Sequence, residues 1–119
     1  MKPFCPSVSV QCQYLTLGCR TGGSNVSRPY AISSSPKEGL QRKLSLTVKK
    51  CGFFSGWLAD KAKAGDEFTV GDPSGEFCYE LIKEAKQIAG IAGGSGITPF
   101  MSLARAISDG TEDVSLVLF

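Results

Sequence analysis

The sequence has no histidine. That removes imidazole acid–base catalysis and most zinc sites. It also has no C-x-x-C pair. Its five cysteines, Cys5, Cys12, Cys19, Cys51 and Cys78, are odd in number and irregularly spaced. Neither a disulfide framework nor a metal knuckle follows, and reduced thiols of a cytoplasmic protein are the expectation. No apolar run approaches the ~20 residues that cross a bilayer. The opening "MKPFCPSVSV" lacks the apolar core of a signal peptide. Internal repeats and low-complexity tracts are also missing. These absences lead to an expected soluble, cytoplasmic chain with no metal, no membrane partner and no nucleic-acid partner.

Acids are almost missing from the first half. Residues 1–50 hold eight Lys/Arg against the single acid Glu38, whereas residues 51–119 hold five Lys/Arg against ten acids. A basic half suits phosphates or an acidic partner. Scattered surface cations are the equally open alternative. The 119 residues and 42% apolar content are ordinary for a globular chain and sufficient for one modest core.

Periodicity divides the chain. "QYLTLGCR" alternates, with Leu15, Leu17 and Cys19 on one face and Tyr14 and Thr16 on the other, which predicts a half-buried strand. "TGGSN" is a turn. "VSRPYAIS" is extended, and Pro29 places it at an edge or a bulge. "SSPKEG" reads as a loop. "KLSLTVKK" alternates, with Leu44, Leu46 and Val48 inward. "SGWLADKAKAGD" predicts a short helix with Ser55 as N-cap, Trp57, Leu58 and Ala62 as its apolar stripe, and Gly65 at C′. "EFTV" and "EFCYEL" are expected strands around the "GDPSG" turn. Trp57 and Phe77 read as core.

After Lys86 the style changes. "QIAGIAGG" predicts a strand buried on both faces. "TPFMSLARAISDG" predicts a helix with Thr98 as N-cap, Pro99 at N1, Phe100, Leu103, Ala104 and Ile107 on one face, and Gly110 as the stop. "DVSLVLF" is a second apolar strand. The fold class expected is mixed: antiparallel β first, then a parallel strand–helix–strand. The boundary falls near residue 85, giving units at 13–84 and 85–119, with 1–12 unassigned.

Two clusters carry chemistry. In "IAGGSGITPF", Gly93, Gly94 and Gly96 lie between a strand and a helix, with Thr98 and Pro99 just beyond. Backbone N–H groups there can approach a phosphate, aided by the helix dipole. The third glycine of the usual dinucleotide fingerprint and the lysine of a P-loop are both missing. A tight turn that needs glycine for positive φ remains an alternative. In "RPYAISSSP", Arg28 and Tyr30 are either ligands for a phosphate and a flat ring, or a surface cation and a core aromatic.

"RPYAISSSP", "GFFSGWL", "GDPSGEF" and "AGGSGITPF", in this order and spacing, resemble the ferredoxin–NADP reductase superfamily over about Gln13–Phe119. The resemblance implies an antiparallel flavin-binding barrel followed by an α/β domain for the nicotinamide nucleotide. The family's R-x-Y-[ST] motif falls on Arg28, Pro29, Tyr30 and Ala31. It implies that Arg28 meets a flavin phosphate and that Tyr30 stacks on the isoalloxazine ring. The G-x-x-[ST] motif falls on Gly52–Ser55, which implies a pyrophosphate contact at Ser55 and favours FAD, with FMN possible. The Gly93–Pro99 turn matches the NAD(P)-binding loop, with Thr98 near the nicotinamide. Ser33 is a further cofactor candidate, although Ser33, Ser34 and Ser35 also read as plain loop residues.

Two departures stand out. Ala31 replaces the hydroxyl that usually bonds flavin N5, so either a backbone N–H serves N5 or hydride transfer is slower. Strands that open the family barrel, and sequence beyond the second α/β strand, have no counterpart here. The resemblance therefore implies the middle portion of an NAD(P)H-dependent flavoprotein oxidoreductase that passes electrons to a ferredoxin-like or other protein acceptor. The alternative is a truncated, non-catalytic product, or a weak flavin-binding module.

Overall fold

A computed structural model describes residues 13–77 and 85–119. Strand β1 (Tyr14–Thr21) and strand β2 (Ser24–Ala31) form an antiparallel hairpin. The two-residue turn between them is Gly22–Gly23, with φ of 56° and 80°. A tight hairpin of this kind needs positive φ at both positions, which glycine reaches without strain. The expected alternation of β1 holds: Leu15 is fully buried, Leu17 and Cys19 are half-buried, and Tyr14 and Thr16 are exposed. A short β3 (Thr69–Val70) pairs with the other side of β1, so β2 lies at the edge, as Pro29 predicts.

Two expected strands shrink. "KLSLTVKK" contributes one bridge, Leu46 to Ile32. Its inward side chains are half-buried, so alternation set the facing but not a ladder. "EFTV" narrows to Thr69–Val70. "EFCYEL" falls largely outside the described residues; Phe77, read as core, is 60% exposed.

The helices differ more. The expected loop "SSPKEG" contains α1 (Pro36–Leu40), closed by a capping box. The Ser35 hydroxyl accepts the Glu38 N–H, and the Glu38 carboxylate accepts the Ser35 N–H at 2.7 Å. Such a reciprocal pair satisfies two orphan donors. Helix α2 (Phe53–Lys61) starts before Ser55. Gly52 is its N-cap, with φ of 107°, and Ala62 rather than Gly65 closes it. Its buried members are Phe54 and Ser55, with Trp57 and Leu58 half-buried.

In the last part, β4 (Gln87–Gly90) and β5 (Ser115–Leu118) pair in parallel. A 3₁₀ turn (Gly94–Ile97) leads straight into α3 (Thr98–Ser108). Ile97 occupies the N-cap position with helical φ, so Thr98 is the first helical residue and caps nothing. Phe100 and Leu103 are buried and Ala104 and Ile107 half-buried, as the helical period predicts. Gly110 follows the C-cap Asp109 with φ of 81°, the expected stop. Leu103 and Val114 form a small core with Ile88, Ile107 and Leu116. The strand expected to be buried on both faces is not: Gln87 and Ala89 are exposed and Ile91 is 84% exposed. α3 packs on one face of a two-stranded sheet, so alternate side chains of β4 stay in water. Among the described residues, no helix is long and apolar enough to cross a membrane.

Candidate functional site: a cationic cleft and a glycine turn

β2 carries Arg28, Pro29 and Tyr30 to the rim of a cleft of about 330 Å³. The N-terminus of α2 forms the opposite wall with Gly52, Phe53, Phe54 and Ser55, and Lys49 and Cys51 complete it. Two motifs far apart in sequence thus share one cavity. The lining contains two cations and no carboxylate. The first N–H groups of a helix have no intrahelical partner, so α2 adds a partial positive charge at the same place.

Each side chain has a visible support. One Arg28 N–H donates to the Ser27 carbonyl at 2.7 Å, which fixes part of a five-donor guanidinium. Tyr30 lies opposite the buried Leu15 and is half-buried. Burial pushes its phenol pKa up, and the charge of Arg28 partly opposes this. Its ring lies 6.3 Å from Phe54, which stacks with Trp57 at 6.4 Å and 3°. Trp57 in turn meets the edge of Phe68 at 6.3 Å. This aromatic row braces Tyr30 against α2.

Ser55 plays a different part from a cap. Its hydroxyl accepts the Cys51 N–H at 2.8 Å and reaches back toward the Gly52 carbonyl at 3.5 Å. It ties the first turn of α2 to the chain entering it. A Cβ built on Gly52 meets nothing within 4 Å, so glycine is required there by backbone conformation and not by space.

The remaining sequence candidates lie away from this cleft. Ala31 is half-buried at the end of β2 and does not line it. Ser33 is 2% exposed, and its hydroxyl donates to the Ser45 carbonyl at 3.0 Å. Gly93, Gly94 and Gly96 form an exposed turn, and only Gly94 of the three has positive φ, 55°. A Cβ at any of them meets open space. Thr98 is buried and Pro99 half-buried at the start of α3. Lys49 and Cys51 lie outside the sequence motifs, and Phe53 and Phe54 fall inside G-x-x-[ST] without a role of their own. The signal available was the basic pair Lys49–Lys50 just before "GFFS". Lys50 pairs with Asp60 at 2.7 Å, whereas Lys49 makes no ion pair among the described residues.

No protein-family model matches the chain. Individual proteins do. The glycine betaine monooxygenase reductase subunit of Pseudomonas aeruginosa is 38% identical over 107 residues, 88% of this chain and 28% of that protein. The ferredoxin reductase component of 3-ketosteroid-9-alpha-monooxygenase from Mycolicibacterium smegmatis is 40% identical over 111 residues, 88% of this chain and 30% of that protein. Among solved structures, a ferredoxin NADP+ reductase from Neisseria gonorrhoeae with bound FAD and NADP superposes with a TM-score of 0.67 at 23% identity, over 89% of this chain and 43% of that one.

The chain is homologous to these reductases over most of its own length. Its mixed fold, an antiparallel sheet followed by a parallel strand–helix–strand, is that of solved FAD- and NAD(P)-binding reductase structures. It spans about 28–30% of the length of these reductase relatives.

Proposed function

We propose that the chain is the flavin- and nucleotide-holding portion of an NAD(P)H-dependent flavoprotein oxidoreductase. The observation that carries this reading is the convergence of Arg28, Tyr30 and the α2 N-terminus on one acid-free cleft. The donor set fits a flavin nucleotide. Arg28, Lys49 and the free N–H groups of α2 suit its phosphates, and the braced Tyr30 ring suits its planar ring. When bound, FAD, or FMN in its place, would take hydride from NAD(P)H and release the electrons to a ferredoxin-like or other protein acceptor.

This chain's own residues supply binding and orientation. Arg28 and Lys49 neutralise phosphate charge, and Tyr30 limits the ring's tilt. Ser55 keeps the first turn of α2 closed so that its N–H groups face the cleft. The Gly93–Gly96 turn is the proposed seat of the dinucleotide phosphates, with Thr98 and Pro99 beside it. The proposed units are 13–84 for flavin and 85–119 for the nucleotide. A cytoplasmic location accords with free Cys19 and Cys51 thiols.

A second reading, a flavin-binding module without turnover, is in keeping with Ala31 standing where the resemblance puts a hydroxyl at flavin N5. Visible absorption after equilibration with FAD and removal of free ligand tests the site. Retained flavin in the wild type, lost in Arg28→Ala, is expected. No retention by the wild type, or equal retention by both, overturns the assignment. NAD(P)H bleaching of the retained flavin then separates the two readings.

A further inference from the structure

The three serines after β2 are each 2% exposed, although each carries a hydroxyl. Buried hydroxyls must find partners. Ser33 gives both its N–H and its hydroxyl to the Ser45 carbonyl, at 2.9 and 3.0 Å. The Ser34 hydroxyl accepts the Ser45 N–H at 3.1 Å. These bonds fix the run to the segment below it.

The other bonds cross to α3. The hydroxyl of Ser102, itself 1% exposed, donates to the Ser34 carbonyl at 2.7 Å. The Ser35 hydroxyl donates to the Asp109 carboxylate at 2.7 Å. Lys37 reaches the Asp109 carbonyl at 3.4 Å, and Arg105 lies 3.8 Å from Glu38. One contact would leave α3 free to pivot. Ser102 and Asp109 are seven positions apart on the helix, about 10 Å along its axis at 1.5 Å per residue. Two anchors at that separation fix direction as well as position. The Phe77–Phe100 pair, 5.6 Å between centroids, adds an apolar contact that a pivot would preserve.

We propose that Ser34 and Ser35 form a two-point clasp on α3, making Ser102 and Asp109 positioning residues. They set the orientation of the Gly93–Gly96 turn relative to the Arg28–Tyr30 cleft, because the 3₁₀ turn runs into α3 without a break. The link to electron transfer rests on the flavin reading above; the clasp itself does not.

The test is ¹⁵N relaxation on the 119-residue chain. Wild type is expected to give one rotational correlation time for amides of β1–β2 and of α3. The double variant Ser102→Ala/Asp109→Ala, which removes the donor of one bond and the acceptor of the other, is expected to lose that shared value and give two shorter ones, with the chemical shifts of β1–β2 kept. Ser102→Thr, which retains the hydroxyl, should keep the shared value. A single correlation time in the double variant overturns the proposal. So does collapse of amide dispersion throughout, which would make these bonds part of one core and not a clasp. FAD affinity, read separately, should be unchanged in the double variant because no α3 residue lines the cleft. Failure of the wild type to bind FAD would sink the flavin reading and leave the relaxation result standing.

Discussion

Tyr30 and Phe54 place their ring centroids 6.3 Å apart, joining the edge strand to helix α2. Phe54 is 3% exposed and also stacks on Trp57, so it links both walls of the cleft. Truncating a buried phenylalanine costs about 3–5 kcal/mol. Phe54→Ala should therefore lower the urea midpoint strongly and abolish flavin retention. Unchanged stability would mean that the row does not support the site.

Arg28 and Lys49 should differ in weight. A charge-assisted hydrogen bond contributes about 1.5–3 kcal/mol, so Arg28→Ala should weaken FAD binding by about 10- to 100-fold. Lys49 is an exposed point charge worth about 0.2–1 kcal/mol, so Lys49→Ala should cost no more than about 5-fold and fade in high salt. Lys50→Ala is the control, since Lys50 is held by Asp60. Fluorescence titration reads all three, and an equal loss at Lys49 and Lys50 would contradict the assignment.

At the end of β4 the backbone is crowded. A Cβ on Gly90 would lie 2.7 Å from Leu118 and 2.7 Å from the buried Phe100 ring. Overpacking of this kind costs about 1–3 kcal/mol. Gly90→Ala should lower the thermal midpoint, whereas Gly93→Ala, facing open space, should not by this mechanism.

Acid should loosen the clasp. The Thr111 hydroxyl, helped by Ser35 and Lys37, holds the Asp109 carboxyl below the usual carboxylate range, although burial pushes the other way. A carboxylate whose folded pKa is depressed stabilises the fold above its unfolded value of about 3.9, and that contribution fades as pH falls through the folded value. Glu38, Arg105 and Lys37 face the same junction. Hydrogen-exchange protection of α3 should drop below about pH 4, and Asp109→Asn should remove part of that dependence. An identical acid profile in the variant would exclude Asp109.

Ala31→Ser tests the missing hydroxyl. If that absence limits hydride transfer, the substitution in a complete flavin-loaded reductase should speed flavin reduction in stopped-flow. No change, or a slower rate, would mean that a backbone donor serves N5 or that N5 lies away from Ala31.

What was legible in the sequence was whatever repeats locally. The β1 alternation, the Gly22–Gly23 turn, the Pro29 edge and the apolar face of α3 each follow from a short window. The capping box Ser35–Glu38 was written there too, but a five-residue helix interrupted by Gly39 gives no period to notice. The serines are loop residues, as expected, but their burial was hidden for another reason. Their partners Ser102 and Asp109 lie some seventy positions on, and no local pattern shows that a hydroxyl will be buried by a distant helix. Lys49 joined the cleft only through folding, because the irregular segment leading into α2, not sequence spacing, brings it to the lining that Arg28 shares.

Pro29 has a consequence for self-association. The Ile32 N–H donates inward to the Gln13 carbonyl, so by alternation the backbone groups of Ser27 and Pro29 face outward, on the stretch of β2 that precedes the Ile32–Leu46 bridge. Such a row recruits strands from other molecules. Here Pro29 offers no N–H, and the Ser27 carbonyl is already taken by the Arg28 guanidinium. The outer rim is blunted at neighbouring positions by the motif that meets the ligand. A phosphate that draws Arg28 away would free the Ser27 acceptor, leaving Pro29 alone to keep a second chain from zipping onto the hairpin.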